Sequence, residues 1–118
     1  MGTRSNVYIE TKPGTYMGTY VHYDGYPSHM NQTLMDMPRE DLEAHIVMSM
    51  NRGGMRFLGI SPDGKDETEY LDDFGCTVLL SNPNEPEWDA EYIYIKQLDD
   101  TVKWCETWGA GWSIRDFR

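Results

Sequence analysis

Tyr20-Val21-His22-Tyr23-Asp24-Gly25-Tyr26-Pro27-Ser28-His29 gathers two histidines, an aspartate and three tyrosines into ten residues. Such side chains hydrogen-bond, stack and titrate. They stand where a strand should give way to a helix, and backbone donors are free at such ends. Arg4 belongs with them: if residues 5–11 and 16–23 pair as a hairpin, Arg4 lies beside the end of the second strand, within reach of His22 and Asp24.

Two readings stand for Arg4, His22 and Asp24. In one, Asp24 caps the Gly-Tyr-Pro turn and an Arg4–Asp24 bridge pins the hairpin, since Asx-type turns are common at such spots. In the other, Arg4 holds a phosphate or carboxylate while Tyr20, Tyr23 or Tyr26 stacks on a base, giving a nucleotide-like ligand site. A third use is a divalent metal on His22, Asp24 and His29, as in a metal-dependent hydrolase. His-x-Asp on a strand does put both side chains on one face. No fourth ligand sits at a recognised spacing and no HExxH pattern occurs, so no metal is assigned. His22 with Asp24 could serve acid–base chemistry, but no motif places a nucleophile. Binding is therefore expected over catalysis. His45 falls on the apolar face of a helix and reads as a core or boundary histidine.

The elements that position these groups follow from periodicity. Val7 and Ile9 alternate with Tyr8 and Glu10, and Lys12-Pro13-Gly14-Thr15 is a turn. The second strand places Met17, Thr19, Val21 and Tyr23 on one face and Tyr16, Gly18, Tyr20 and His22 on the other. Ser28 reads as the cap of a short helical turn to about Met35, and Pro38 as the first residue of a stronger helix with Glu40 and Asp41 on its positive end. Leu42, His45, Ile46, Ser49 and Met50 share one helical face, and Gly53-Gly54 stops the helix. Strands are expected over 55–60, 69–72, 76–80, 92–98 and 101–107, with 69–72 pairing with 76–80 and a last short strand at Ile114. The expected fold is a single α+β domain over residues 1–118: an antiparallel sheet of about five to seven strands with one main helix packed on one face.

The net charge of −10 sits entirely in residues 61–100, which hold twelve acids and two bases, Lys65 and Lys96. Direct nucleic-acid binding through that third is disfavoured, because phosphate affinity needs cations. A protein partner with a basic surface is favoured, and Asp63, Asp66, Glu67, Glu69, Asp72, Asp73, Glu85, Glu87, Asp89 and Glu91 are the candidate contacts. The plainer alternative is a solvated acidic face that confers solubility. No apolar run is long enough for a membrane span, and the N-terminus lacks a signal-peptide core, so the chain is expected to stay in the cell that makes it. Cys76 and Cys105 have no metal-ligand spacing and read as small hydrophobes. Arg52-Gly53-Gly54-Met55-Arg56 and Gly109-Ala110-Gly111 are not phosphate loops, and no cofactor is expected. Four tryptophans, two of them in the tail, exceed what so small a core hides, so a partner or homodimer surface is expected among them.

Met1-Gly2-Thr3-Arg4-Ser5, then His22-Tyr23-Asp24-Gly25-Tyr26-Pro27, and finally Glu91-Tyr92-Ile93-Tyr94-Ile95 with Trp104, resemble a group of small phage-encoded proteins of unassigned function. The likeness is close over the N-terminal third and loose over the C-terminal quarter. The middle departs from it: the group's Gly/Leu/Ser-rich segment and later Arg-Asp-Arg element are not seen in this chain. The resemblance implies a phage origin and expression in the cytoplasm of a bacterial host. With the charge pattern, it leads to an acidic inhibitor of a host defence or nucleic-acid-handling protein as the first expectation. Ligand binding through Arg4, Tyr20, His22, Asp24, Tyr26 and His29 is the alternative.

Overall fold

The computed structural model describes residues 2–107, and the expectations at Trp108, Trp112, Gly109-Ala110-Gly111 and Ile114 lie outside them. The architecture is α+β: a six-stranded sheet with two helices. β1 (Ser5–Lys12) and β2 (Thr15–Val21) form the expected hairpin, turning at Gly14, whose φ of 76° suits a residue without a Cβ. α1 (Pro27–Asp36) and α2 (Arg39–Ser49) follow, then β3 (Met55–Phe57), β4 (Glu69–Tyr70), β5 (Tyr92–Lys96) and β6 (Val102–Glu106).

The strand order is β4-β3-β2-β1-β5-β6. Three pairings are antiparallel, while β1–β5 and β2–β3 are parallel, so the sheet is mixed. β4 pairs with β3 rather than with residues 76–80. Those residues form no strand. Val78 and Leu80 instead fold down onto the sheet, Leu80 through a single bridge to Gly18.

Alternation along β1 explains the two layers. Val7 and Ile9 join Val21, Met30, Leu34, Leu42, Ile46 and Met55 under the helices. Tyr8 joins Tyr20, Val78, Leu80, Ile93 and Ile95 on the opposite face, beneath a strap running from about residue 71 to 90. β1 is thus buried on both sides, as a central strand must be.

The helix starts depart from the expected positions by two residues at α1 and one at α2. Pro27 opens α1, with Tyr26 as its N-cap, so Ser28 lies in the first turn; Pro38 is the N-cap of α2. Lys96 finishes α1: its Nζ donates to the carbonyls of Leu34 and Met37, each at 2.6 Å, although the residue is only 2% exposed. A cation against unpaired carbonyls complements the negative helix end. Gly53 and Gly54, both at positive φ, end the turn after α2 as expected.

Candidate functional site

β1 begins, β2 ends and β5 begins at the same end of the sheet: Ser5 faces Val21 on one side and Tyr92 on the other. Arg4 precedes Ser5 and is fixed by Glu91, which precedes β5. The Arg4 amide donates to Glu91 Oε2 at 3.0 Å, and the Glu91 amide donates to the Arg4 carbonyl at 2.8 Å. Gly2, Arg4, His22 and Tyr23 line a cavity of about 290 Å³ at this end.

The N-terminal segment and the His-Tyr-Asp-Gly segment interlock. Gly25 donates its amide to the Thr3 carbonyl at 2.9 Å, and Tyr94 donates its hydroxyl to the Gly25 carbonyl at 2.5 Å. A Cβ on Gly25 would lie 2.6 Å from Ser5 Oγ, and one on Gly2 would lie 2.3 Å from Tyr23 Cδ1. Both glycines are there because the two segments touch backbone to side chain.

Arg4 carries the site's chemistry. Its Nε is shielded from water and has no hydrogen-bond partner, and no carboxylate of a described residue forms an ion pair with it. A buried donor without an acceptor is uncommon, and it is costly for a cation. Beside it, the Tyr20 hydroxyl lies 2.5 Å from His22 Nδ1. Burial, foremost, pushes the Tyr20 phenol above its ordinary range; Arg4 pulls it down, and Asp89 and Tyr23 push it up. The phenol stays protonated at neutral pH. Either the phenol or Nδ1 can donate in this bond, which in both cases leaves Nε2 of His22 outside it.

An aromatic wall completes the surroundings. His22 meets Tyr20 and Tyr23 edge-on, with centroids 5.7 and 4.5 Å away. Trp88 lies 5.8 Å from Tyr20 at a tilt of 30°. Trp88 and Asp89 both adopt the left-handed conformation, with φ of 59° and 55°. That is a rare state for tryptophan, and such strain concentrates at functional sites.

The expected set is divided. Arg4, Tyr20 and His22 come together. Asp24 does not bridge to Arg4: it occupies a left-handed turn (φ 58°) beyond the end of β2, where strand alternation no longer aims it at the Arg4 face. His29 is committed elsewhere, with Nε2 2.8 Å from the Leu58 carbonyl and its ring against Phe57 and Tyr26. Tyr26 lies against His29, with ring centroids 6.0 Å apart and a tilt of 57°, and is not among the residues lining the cavity. Among the described residues, no three His, Cys, Asp or Glu side chains are grouped to hold a metal ion, so His22, Asp24 and His29, the alternative ligand set considered from the sequence, are not brought together as one. Gly2 and Trp88 were missed; Trp88 gave no signal beyond being a tryptophan in an acidic loop.

The acidic candidates are placed unevenly. Asp63, Asp66, Glu67, Glu69, Asp72, Asp73, Glu85, Glu87 and Asp89 are exposed, whereas Glu91 is half-buried and holds Arg4. Asp66 pairs with His45 at 2.6 Å and Asp72 with Arg52 at 3.4 Å, so neither is a free surface charge. Burial raises the Asp66 carboxyl, but hydrogen bonds from His45 and Thr68 outweigh it and hold it below the ordinary range. His45 is thus a boundary residue linking α2 to Asp66 and, through Nδ1, to the Tyr70 hydroxyl at 2.6 Å.

A larger cavity of about 640 Å³ lies between the α1–α2 turn and residues 60–66, walled by Asp36, Asp41 and Asp66. It presents neither a cation nor an unpartnered donor. No helix among the described residues is long and apolar enough to cross a membrane. Compared with known protein families, curated proteins and solved structures, the chain finds no match.

Proposed function

We propose that this protein binds a small anionic ligand, with Arg4 and His22 as the anion-holding pair and Tyr20 and Tyr23 as the flanking aromatics. The observation that carries this is Arg4: it lines a cavity and has no ion-pair partner among the described residues. A phosphate or carboxylate supplies the missing counter-charge, and planar guanidinium geometry suits both. The His22 imidazole adds a second polar group to the same wall. The left-handed Trp88–Asp89 pair supports the same place as a site. In the phage setting that the sequence resemblance implies, the role is sequestration of a nucleotide-like molecule in the cytoplasm of the infected bacterium.

The test is thermal unfolding against a panel of phosphates, carboxylates and nucleotides. A ligand at one hundred times its Kd should raise stability by about 2.7 kcal/mol. Arg4→Ala should abolish the shift. An unchanged melting temperature across the panel would count decisively against the proposal.

A second reading is favoured by a separate observation. Between Lys65 and Lys96 the chain has no basic residue, and the strap exposes Phe74, Leu79 and Trp88 among its acids. An acidic surface with apolar anchors suits a host protein with a basic face, and the protein would then act as its inhibitor. Capture from host lysate that is lost at high salt, and lost again in Asp73→Asn/Glu87→Gln/Asp89→Asn, supports it; salt-independent capture does not.

A further inference from the structure

Resting on the reading of the Arg4–His22 cavity as an anion site, we infer that Arg56 is its second cationic arm and that the ligand is a small phosphomonoester, held between Arg4 and Arg56.

The sheet register places Arg56 there. Val21 is paired with Ser5 on one side and with Met55 on the other, and the His22 amide donates to the Met55 carbonyl at 2.9 Å. One residue along, His22 therefore has Arg4 beside it on β1 and Arg56 beside it on β3. Alternation puts all three on one face. Asn6, two residues after Arg4, exchanges hydrogen bonds with Glu87 of the strap. His22 is bonded to Tyr20, which packs under that strap. Met55 lies in the core beneath the helices and Phe57 rests on His29 of α1, so Arg56 between them faces the strap side. Side chains on adjacent strands of one face interact directly. Tyr23 ties the row together: it lines the cavity, its ring lies 4.5 Å from that of His22, and its amide donates to the Arg56 carbonyl at 2.9 Å.

Charge pairing singles out the same two residues. Of the four arginines among the described residues, Arg39 pairs with Asp100 and Arg52 with Asp72. The two without an ion pair, Arg4 and Arg56, are those that flank His22. In a chain of net charge −10, that leaves two uncommitted guanidinium groups in one row. Arg56 stands on the β3 side of the cavity, outside its lining, and is exposed, so it is free to lean over a bound anion. A terminal phosphate has three acceptor oxygens and nearly two charges at neutral pH, enough for both arginines. A carboxylate has one charge and two oxygens, which a single guanidinium satisfies in bidentate fashion.

The measurement is titration calorimetry at low salt with phenyl phosphate and benzoate, which share a ring and differ in the anion. The proteins are the unmodified chain, Arg56→Gln, Arg56→Lys and Lys65→Gln. Lys65 is an exposed cation in the loop facing the α1–α2 turn, so its loss reports net charge alone. We expect Arg56→Gln to weaken phenyl phosphate about tenfold, the size of one charge-assisted hydrogen bond, and benzoate less than twofold. Arg56→Lys should recover part of the loss, and Lys65→Gln should change neither ligand. Equal weakening of both ligands by Arg56→Gln, no weakening of phenyl phosphate, or the same loss in Lys65→Gln overturns this inference while leaving the Arg4 site intact. Benzoate binding without phenyl phosphate does the same. No binding of either anion overturns both.

Discussion

The Tyr20 hydroxyl lies 2.5 Å from Nδ1 of His22, two residues further along the chain and on the same face of the sheet. Strand periodicity brings the two together. The consequence is chemical: the bond engages Nδ1 and leaves Nε2 of His22 to meet a ligand.

Tyr20→Phe should keep the fold, because the ring and its packing under the strap remain. Ligand affinity should fall about fivefold, the worth of one ordinary hydrogen bond of about 1 kcal/mol. Nitrogen NMR of the imidazole should show a single tautomer in the parent and a mixture in the variant. The same tautomer population in both would contradict the role given to Tyr20.

Gly25→Ala should destabilise the protein by about 1–3 kcal/mol, the usual cost of overpacking. The added methyl would meet Ser5 Oγ at 2.6 Å and the Thr3 carbonyl at 2.8 Å, so the two segments that frame the cavity must separate. Chemical denaturation measures the loss, and a wild-type midpoint would show that the interlock is slack.

Lys96→Met should also destabilise, by about 1–3 kcal/mol, because the Leu34 and Met37 carbonyls lose their donor. Burial, foremost, lowers the Lys96 ammonium pKa from its ordinary 10.5. The unfolded chain therefore binds more protons in the window between the lowered value and 10.5, and stability rises with pH across that window. A neutral amine still has two N–H groups for the two carbonyls. The stability advantage of the parent over Lys96→Met should grow as pH approaches 10; a constant or shrinking difference would contradict the assignment.

Tyr8 and Tyr94 act in the opposite sense. Burial, foremost, raises both phenols well above the ordinary 10.0. Their stabilisation is complete below 10.0 and is lost as pH rises through the higher folded values, because the unfolded chain ionises first. Tyr94→Phe and Tyr8→Phe should each flatten the alkaline fall in stability. They should lower it at neutral pH by about 1 kcal/mol, through the bonds to the Gly25 and Asn82 carbonyls.

The hairpin, both helices and β5–β6 were legible in the sequence because each is written in local periodicity and turn chemistry. The parallel pairing of β1 with β5 was not: no turn joins parallel neighbours, and eighty-odd residues separate Ser5 from Tyr92. Val78 and Leu80 alternate like a strand, yet they are strap residues whose inward side chains cap Tyr8 and Tyr20. At the site, Arg4 and His22 were legible through hairpin geometry. Asp24 and His29 were not, since Asp24 turns left-handed beyond β2 and His29 points from α1 to the Leu58 carbonyl.

The most direct test of the central claim is nitrogen–proton NMR of the Arg4 guanidinium while a nucleotide is titrated. The free protein should show a slowly exchanging Arg4 signal, assigned by its loss in Arg4→Lys. Saturable movement of that signal, together with the His22 imidazole, would establish Arg4 as the anion contact. A nucleotide, inorganic phosphate and acetate that all leave it unmoved would contradict the account.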